Sequence, residues 1–141
     1  MNNQTKIRVI RAICWMGVVA DALWVVALVW PPLYTTLIGR DTLQPDLFMR
    51  LNMGIGASLM AGWMLLLAWT AGKPIERRAV MLLSVLPVIA GLSVVTIIGL
   101  VEGNAGNIWI LGKCIFLGVA MLSAYMLANT IAKETANEVN H

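Results

Sequence analysis

The sequence predicts an all-α polytopic membrane protein: four transmembrane helices in an antiparallel bundle, with both the N-terminus and the C-terminus in the cytoplasm. Three observations carry that prediction. Of 141 residues, 60% are hydrophobic and 12% charged, whereas a soluble domain is roughly half apolar and a quarter charged. The apolar residues fall in four long blocks, each able to span a hydrocarbon core. The Lys and Arg residues collect at the block ends, which is how membrane-orienting charges are distributed. The net charge of +3 is therefore assigned to the bilayer surface, and no nucleic-acid partner is expected.

The first helix is expected over residues 6–30. Lys6, Arg8 and Arg11 precede it, and Ala20-Asp21-Ala22 has the small-x-small look of a signal-peptide cleavage site. The apolar run nevertheless continues through Leu23 to Trp30, beyond a signal-peptide core. The reading is a retained transmembrane helix. Pro31-Pro32 ends it or kinks it into a short extension through Tyr34 and Leu37, because proline lacks the backbone donor and disfavours a helical residue before it. The outer segment 31–44 carries Leu33, Leu37, Ile38 and Leu43, with a turn at Gly39-Arg40-Asp41. It is expected to lie along the membrane surface with a turn or two of helix.

The second helix is expected over 45–71, with Pro45 at the first helical position and Asp46 at the positive end of the dipole. Gly54, Ser58 and Gly62 recur every four residues and form a small-residue stripe expected to pack against a neighbouring helix. Gly72-Lys73-Pro74 reads as a tight turn into a third helix over 75–101, which Pro87 should bend. Glu102–Asn107 is a second tight turn with Asn107 as a cap, and the fourth helix is expected over 108–132. Ala120, Ala124 and Ala128 form another small-residue stripe on it, and the polar tail from Lys133 is left outside the helix. All 141 residues belong to one domain.

Orientation follows from the basic residues. Seven (Lys6, Arg8, Arg11, Lys73, Arg77, Arg78 and Lys133) fall on one side and two (Arg40 and Arg50) on the other. The richer side is cytoplasmic. Trp30 and Trp109 fit an outer aromatic belt and Trp15 and Trp69 an inner one, while Trp24 and Trp63 lie too deep for either. The expected location is a cell membrane of the bacterial inner-membrane type.

Asp21 stands out chemically. It lies near the middle of the first apolar block, roughly 15 Å above Arg11 at the rise of an α-helix. A carboxylate at that depth is costly, faces a protein interior, and is a functional-site hypothesis by default. Lys113 enters from the outer side and differs from it in depth by roughly 6 Å in a core of about 30 Å. Cys14, Gly17, Asp21 and Trp24 share one helix face. Arg50, Asn52 and Glu102 stand where they could roof the same space. The candidate ligand-binding residues are therefore Asp21, Trp24, Lys113, Arg50, Asn52 and Glu102. Three readings stay open at this point: a polar pocket facing the outer leaflet, a structural ion pair between the first and fourth helices, and a Lys113 that snorkels outward while Asp21 stands alone and protonated.

Other chemistry is sparse. Cys14 and Cys114 lie at depths roughly 15 Å apart, too far for a disulfide, and make no metal motif. The single histidine, His141, is terminal, so haem held by two histidines and a histidine-based catalytic site are not expected. No nucleophile is paired with a base, and neither a cofactor nor a metal is indicated. The Asp-Ala-Leu of Asp21–Leu23, Pro31 ending the first helix and Arg50 opening a Gly-rich second helix at Gly54 resemble small four-helix bacterial membrane proteins of the DoxX-like kind. The resemblance covers about the first half of the chain. It implies a membrane subunit or an unassigned role and transfers no functional residue. Two functions follow from the residues: a protein that binds a small molecule or lipid, as a carrier does, or a non-catalytic subunit whose stripes dock partner helices. The bilayer, a second copy and a partner membrane subunit are the expected partners.

Overall fold

The computed structural model describes residues 2–37, 44–103 and 107–139. Among them every regular element is a helix: α1 (Asn3–Val29), α2 (Pro31–Leu37), α3 (Leu47–Gly72), α4 (Ala79–Val101) and α5 (Asn107–Val139). Four of these are long and apolar enough to cross a membrane. The expected turn at Gly39–Asp41 lies outside the described residues, as does His141.

α1 begins three residues before its expected start and runs unbroken to Val29. Trp30 then leaves helical geometry (φ −111°, ψ 91°), and the chain restarts at once as the seven-residue α2. The two prolines suit that restart, since a first helical turn has no use for their missing donors. Thr35 and Thr36 both donate to the Pro32 carbonyl at 3.0 Å.

The start of α3 differs from the expectation by two residues, for a visible reason. Asp46 is its cap, not a member: its Oδ1 accepts from the Met49 amide at 2.8 Å. A carboxylate there satisfies an amide that the helix itself leaves without a partner.

The connection to α4 is longer than Gly-Lys-Pro predicts. Residues 73–78 form successive turns, and regular α-helix begins at Ala79 rather than 75. The amides of Val80 and Met81 bond back three residues, to Arg77 and Arg78, at 3.1 Å. Arg77 explains the compact path. Its guanidinium donates to the Trp69 carbonyl and lies 3.6 Å from the centre of the Trp69 ring. It thus closes the carboxyl end of α3, where a cation is favoured.

Pro87 disturbs α4 in a specific way. Residues Ser84–Ile89 form a π-helical segment around it, in which bonds reach five residues back and the helix widens by one residue. Widening accommodates a proline that would otherwise clash with the carbonyl four residues earlier. The segment opens on Ser84, which is buried. Its hydroxyl donates to the Val80 carbonyl at 3.0 Å and accepts from the Trp63 indole N–H at 3.1 Å. That bond explains a tryptophan too deep for an interfacial belt. Trp63→Phe is expected to cost about 1 kcal/mol, the usual worth of one neutral hydrogen bond. Thermal unfolding in a fixed detergent checks it; an unchanged midpoint would assign the indole a packing role only.

α5 runs seven residues past its expected end at 132. The tail is polar but rich in good helix formers, and Lys6 Nζ meets Glu134 Oε1 at 3.3 Å, tying α5 back to the start of α1. Arg11 adds a second tie at that end, donating to the Ala71 carbonyl at 3.0 Å.

α1 is the central element. It packs along α3 and against α5, and α5 packs against α4. The core includes Ile10, Cys14, Leu67, Met81, Met121, Ala124 and Ala128. Of the Ala120–Ala124–Ala128 stripe, Ala124 and Ala128 are fully buried and Ala120 is half-buried. The Gly54–Ser58–Gly62 stripe does not pack against a neighbouring helix as expected. All three residues are exposed, and a Cβ added at Gly54 or Gly62 would meet nothing within 4 Å. α3 instead turns Met53, Ala57 and Leu67 inward, larger side chains that the sequence pattern did not favour over glycine. The close approach lies at Gly17 of α1, pressed by Leu67 and Met121.

Candidate functional site

The site grows from Asp21. α1 buries Ile10, Cys14, Gly17, Val18 and Asp21 on one stripe, so the carboxylate is carried inward by its apolar neighbours. It is 7% exposed, and among the described residues its Oδ2 has no hydrogen-bond partner. An acceptor left in that state is costly.

The expected ion pair with Lys113 is not formed. Lys113 is exposed, and its Nζ sits 5.4 Å from the centre of the Trp109 ring. Trp109 precedes Lys113 by one turn of α5, so its ring lies beside the lysine stem. A cation over an indole face gains a contact without being desolvated, and a long lysine can direct its amine toward the helix end. The structural ion pair is thus not met, and the placement of Lys113 is that of a snorkelling lysine.

The two residues nonetheless border one space. A cavity of about 850 Å³ is lined by Asp21, Trp24 and Leu28 of α1, Tyr34 of α2, Met60 of α3, Ile89, Leu92, Val95 and Thr96 of α4, and Trp109, Lys113, Cys114, Phe116 and Leu117 of α5, among others. All five helices contribute. The lining is mostly apolar and rich in aromatic rings, with a few polar groups among them, the usual make-up of a small-molecule site. The buried Thr96 hydroxyl is occupied by the Leu92 carbonyl at 2.7 Å. Asp21 Oδ2 has no such partner among the described residues.

The remaining predicted residues stand elsewhere. Arg50 borders a separate pocket of about 520 Å³ with Pro31, Pro32, Thr35, Thr36, Gln44 and Pro45. Asn52 is exposed and donates to the Phe48 carbonyl at 3.1 Å. Glu102 is exposed just beyond α4. The structure thus brings together Asp21, Trp24 and Lys113, and does not place Arg50, Asn52 or Glu102 with them. Sequence reasoning missed Tyr34, Thr96 and Trp109. Trp109 was legible as the aromatic residue one turn before Lys113. Tyr34 depended on where α2 folds, and Thr96 on the register change at the π-helical segment. Cys14 and Cys114 are both buried and free. Among the described residues no three His, Cys, Asp or Glu side chains cluster as metal ligands would.

No family model, curated protein or solved structure matches this chain.

Proposed function

We propose that this multi-pass protein binds a small molecule or lipid, as a carrier does, in a mostly apolar intramembrane cavity that faces the outer leaflet and has Asp21 on its border. The observation that carries the reading is Asp21, a buried residue that borders a cavity of about 850 Å³ and whose Oδ2 has no hydrogen-bond partner among the described residues. A carboxylate kept in that condition is a cost without return unless something else occupies the space. A substrate site near the midplane suits a carrier. A wall of four helices is thin, which favours a working unit of two copies. The proposed topology is an antiparallel bundle with both termini in the cytoplasm of a bacterial-type inner membrane. The seven-to-two distribution of basic residues supports it. So do the Lys6–Glu134 and Arg11–Ala71 contacts, which join the start of α1 to the ends of α5 and α3.

A second reading, a non-catalytic subunit that docks partner helices, is favoured by one observation. The Gly54–Ser58–Gly62 stripe is open, and small residues let a foreign backbone come close.

Native mass measurement of the purified full chain in mild detergent separates the two. A retained small adduct that Asp21→Asn loses is expected. A co-purifying protein subunit with no adduct would overturn the ligand reading in favour of the second. For the topology, a reporter active only in the cytoplasm should work when fused at the C-terminus; activity of a periplasm-dependent reporter there would overturn the orientation.

A further inference from the structure

We infer that the head group recognised at Asp21 is an ammonium carried on an apolar body. The inference rests on the ligand-binding reading above and narrows it to a chemical class. Asp21 borders the cavity, and its buried Oδ2 is an acceptor with no hydrogen-bond partner among the described residues. Its complement is a donor, and a charged donor gains most from a carboxylate. The rings of Trp24, Tyr34 and Phe116 border the same space, and the Trp109 face already carries the Lys113 amine. Aromatic faces attract cations and offer nothing to anions. The rest of the wall, including Leu28, Val95 and Leu117, is hydrocarbon and suits an alkyl or aryl body. Lys113 does not fill the role, because its amine is exposed and lies over Trp109.

Two sources supply this chemistry: a free lipophilic amine and an aminophospholipid. They differ at Lys113. A phospholipid brings a phosphate for Lys113 to hold, whereas a simple amine meets only a like charge there.

The test titrates dodecylamine and its neutral counterpart dodecanol into the full chain in a neutral detergent, read by calorimetry against protein-free micelles. Dodecylamine is expected to bind saturably. Asp21→Asn should weaken it by at least roughly tenfold, the worth of a hydrogen bond to a charged group, and should weaken dodecanol less; a cooperative thermal unfolding transition certifies that the variant is folded. Equal binding of amine and alcohol, or an Asp21→Asn variant that binds the amine as well as the parent does, would overturn the ammonium assignment and leave the cavity reading standing. Absence of saturable binding by either probe, with no adduct in the native mass, would overturn both. Phosphatidylethanolamine is then titrated against Lys113→Gln. Weaker lipid binding by the variant assigns the ammonium to an aminophospholipid. Tighter dodecylamine binding with unchanged lipid binding assigns it to a free amine.

Discussion

Asp21→Leu is expected to raise the melting temperature and abolish ligand retention at the same time. The parent buries a carboxylate oxygen with no partner, and such a group costs about 1–3 kcal/mol. Leucine removes the polar atom, and its additional volume extends into a cavity of about 850 Å³ rather than into packed side chains. The net gain should be about 1–2 kcal/mol, or a few degrees. The sign is the informative part. Were Asp21 one half of a buried ion pair, removing it would strand the partner and cost about 3–5 kcal/mol. Thermal unfolding in one detergent, run beside native mass measurement, reads both quantities. A fall in melting temperature of that larger size would show that the carboxylate has a partner. A gain in stability accompanied by lost binding is the usual signature of a site held at the expense of the fold.

Gly17→Leu is expected to be the most damaging single substitution on α1. Even a bare Cβ at Gly17 would stand 2.5 Å from Met121 Cε and 3.0 Å from Leu67 Cδ1. Both neighbours are buried, at 1% and 2% exposure, so neither has open space to enter. Gly17→Ala should cost about 1–3 kcal/mol, the usual range for overpacking a filled core, and Gly17→Leu should cost more and reduce the yield of folded protein. Met121 is flexible and its methyl end is the nearest atom, which makes the mechanism separable. In a double-mutant cycle, Met121→Ala creates the room that the new methyl group needs. The pair Gly17→Ala with Met121→Ala should therefore cost less than the two single changes added together. Strict additivity would place the damage in the helix backbone and not in this contact.

Much of the architecture was legible because a membrane span is a statement about length and hydropathy. The four blocks gave four helices, and the depth of Asp21 was enough to predict its burial. Which face of a helix turns inward was not legible. In lipid both faces are apolar, so amphipathic periodicity loses its meaning. Ala124 and Ala128 are buried, yet Gly54, Ser58 and Gly62 have the same spacing and point outward. Lys113 could not be placed because depth alone cannot weigh Asp21 against an aromatic ring one turn away. The Trp63–Ser84 bond spans 21 residues, and its geometry depends on a π-helical segment that Pro87 announces only as a disturbance. The helical tail beyond 132 was missed because polarity was read as the end of the span, and the end of a span is not the end of a helix.

The π-helical segment at Ser84–Ile89 also sets the phase of everything beyond it in α4. One extra residue is taken up there, so each later side chain is rotated by about 100° from where an uninterrupted α-helix starting at Ala79 would direct it. Ile89, packed against Gly118 of α5, sits at the end of this offset, and Leu92, Val95 and Thr96 all lie past it on the cavity wall. The wall that α4 presents to Asp21 thus exists by virtue of a single surplus residue. A chain one residue shorter between Ser84 and Ile89 would keep its hydropathy, its length across the bilayer and its four spans, and would present a different set of side chains to the carboxylate.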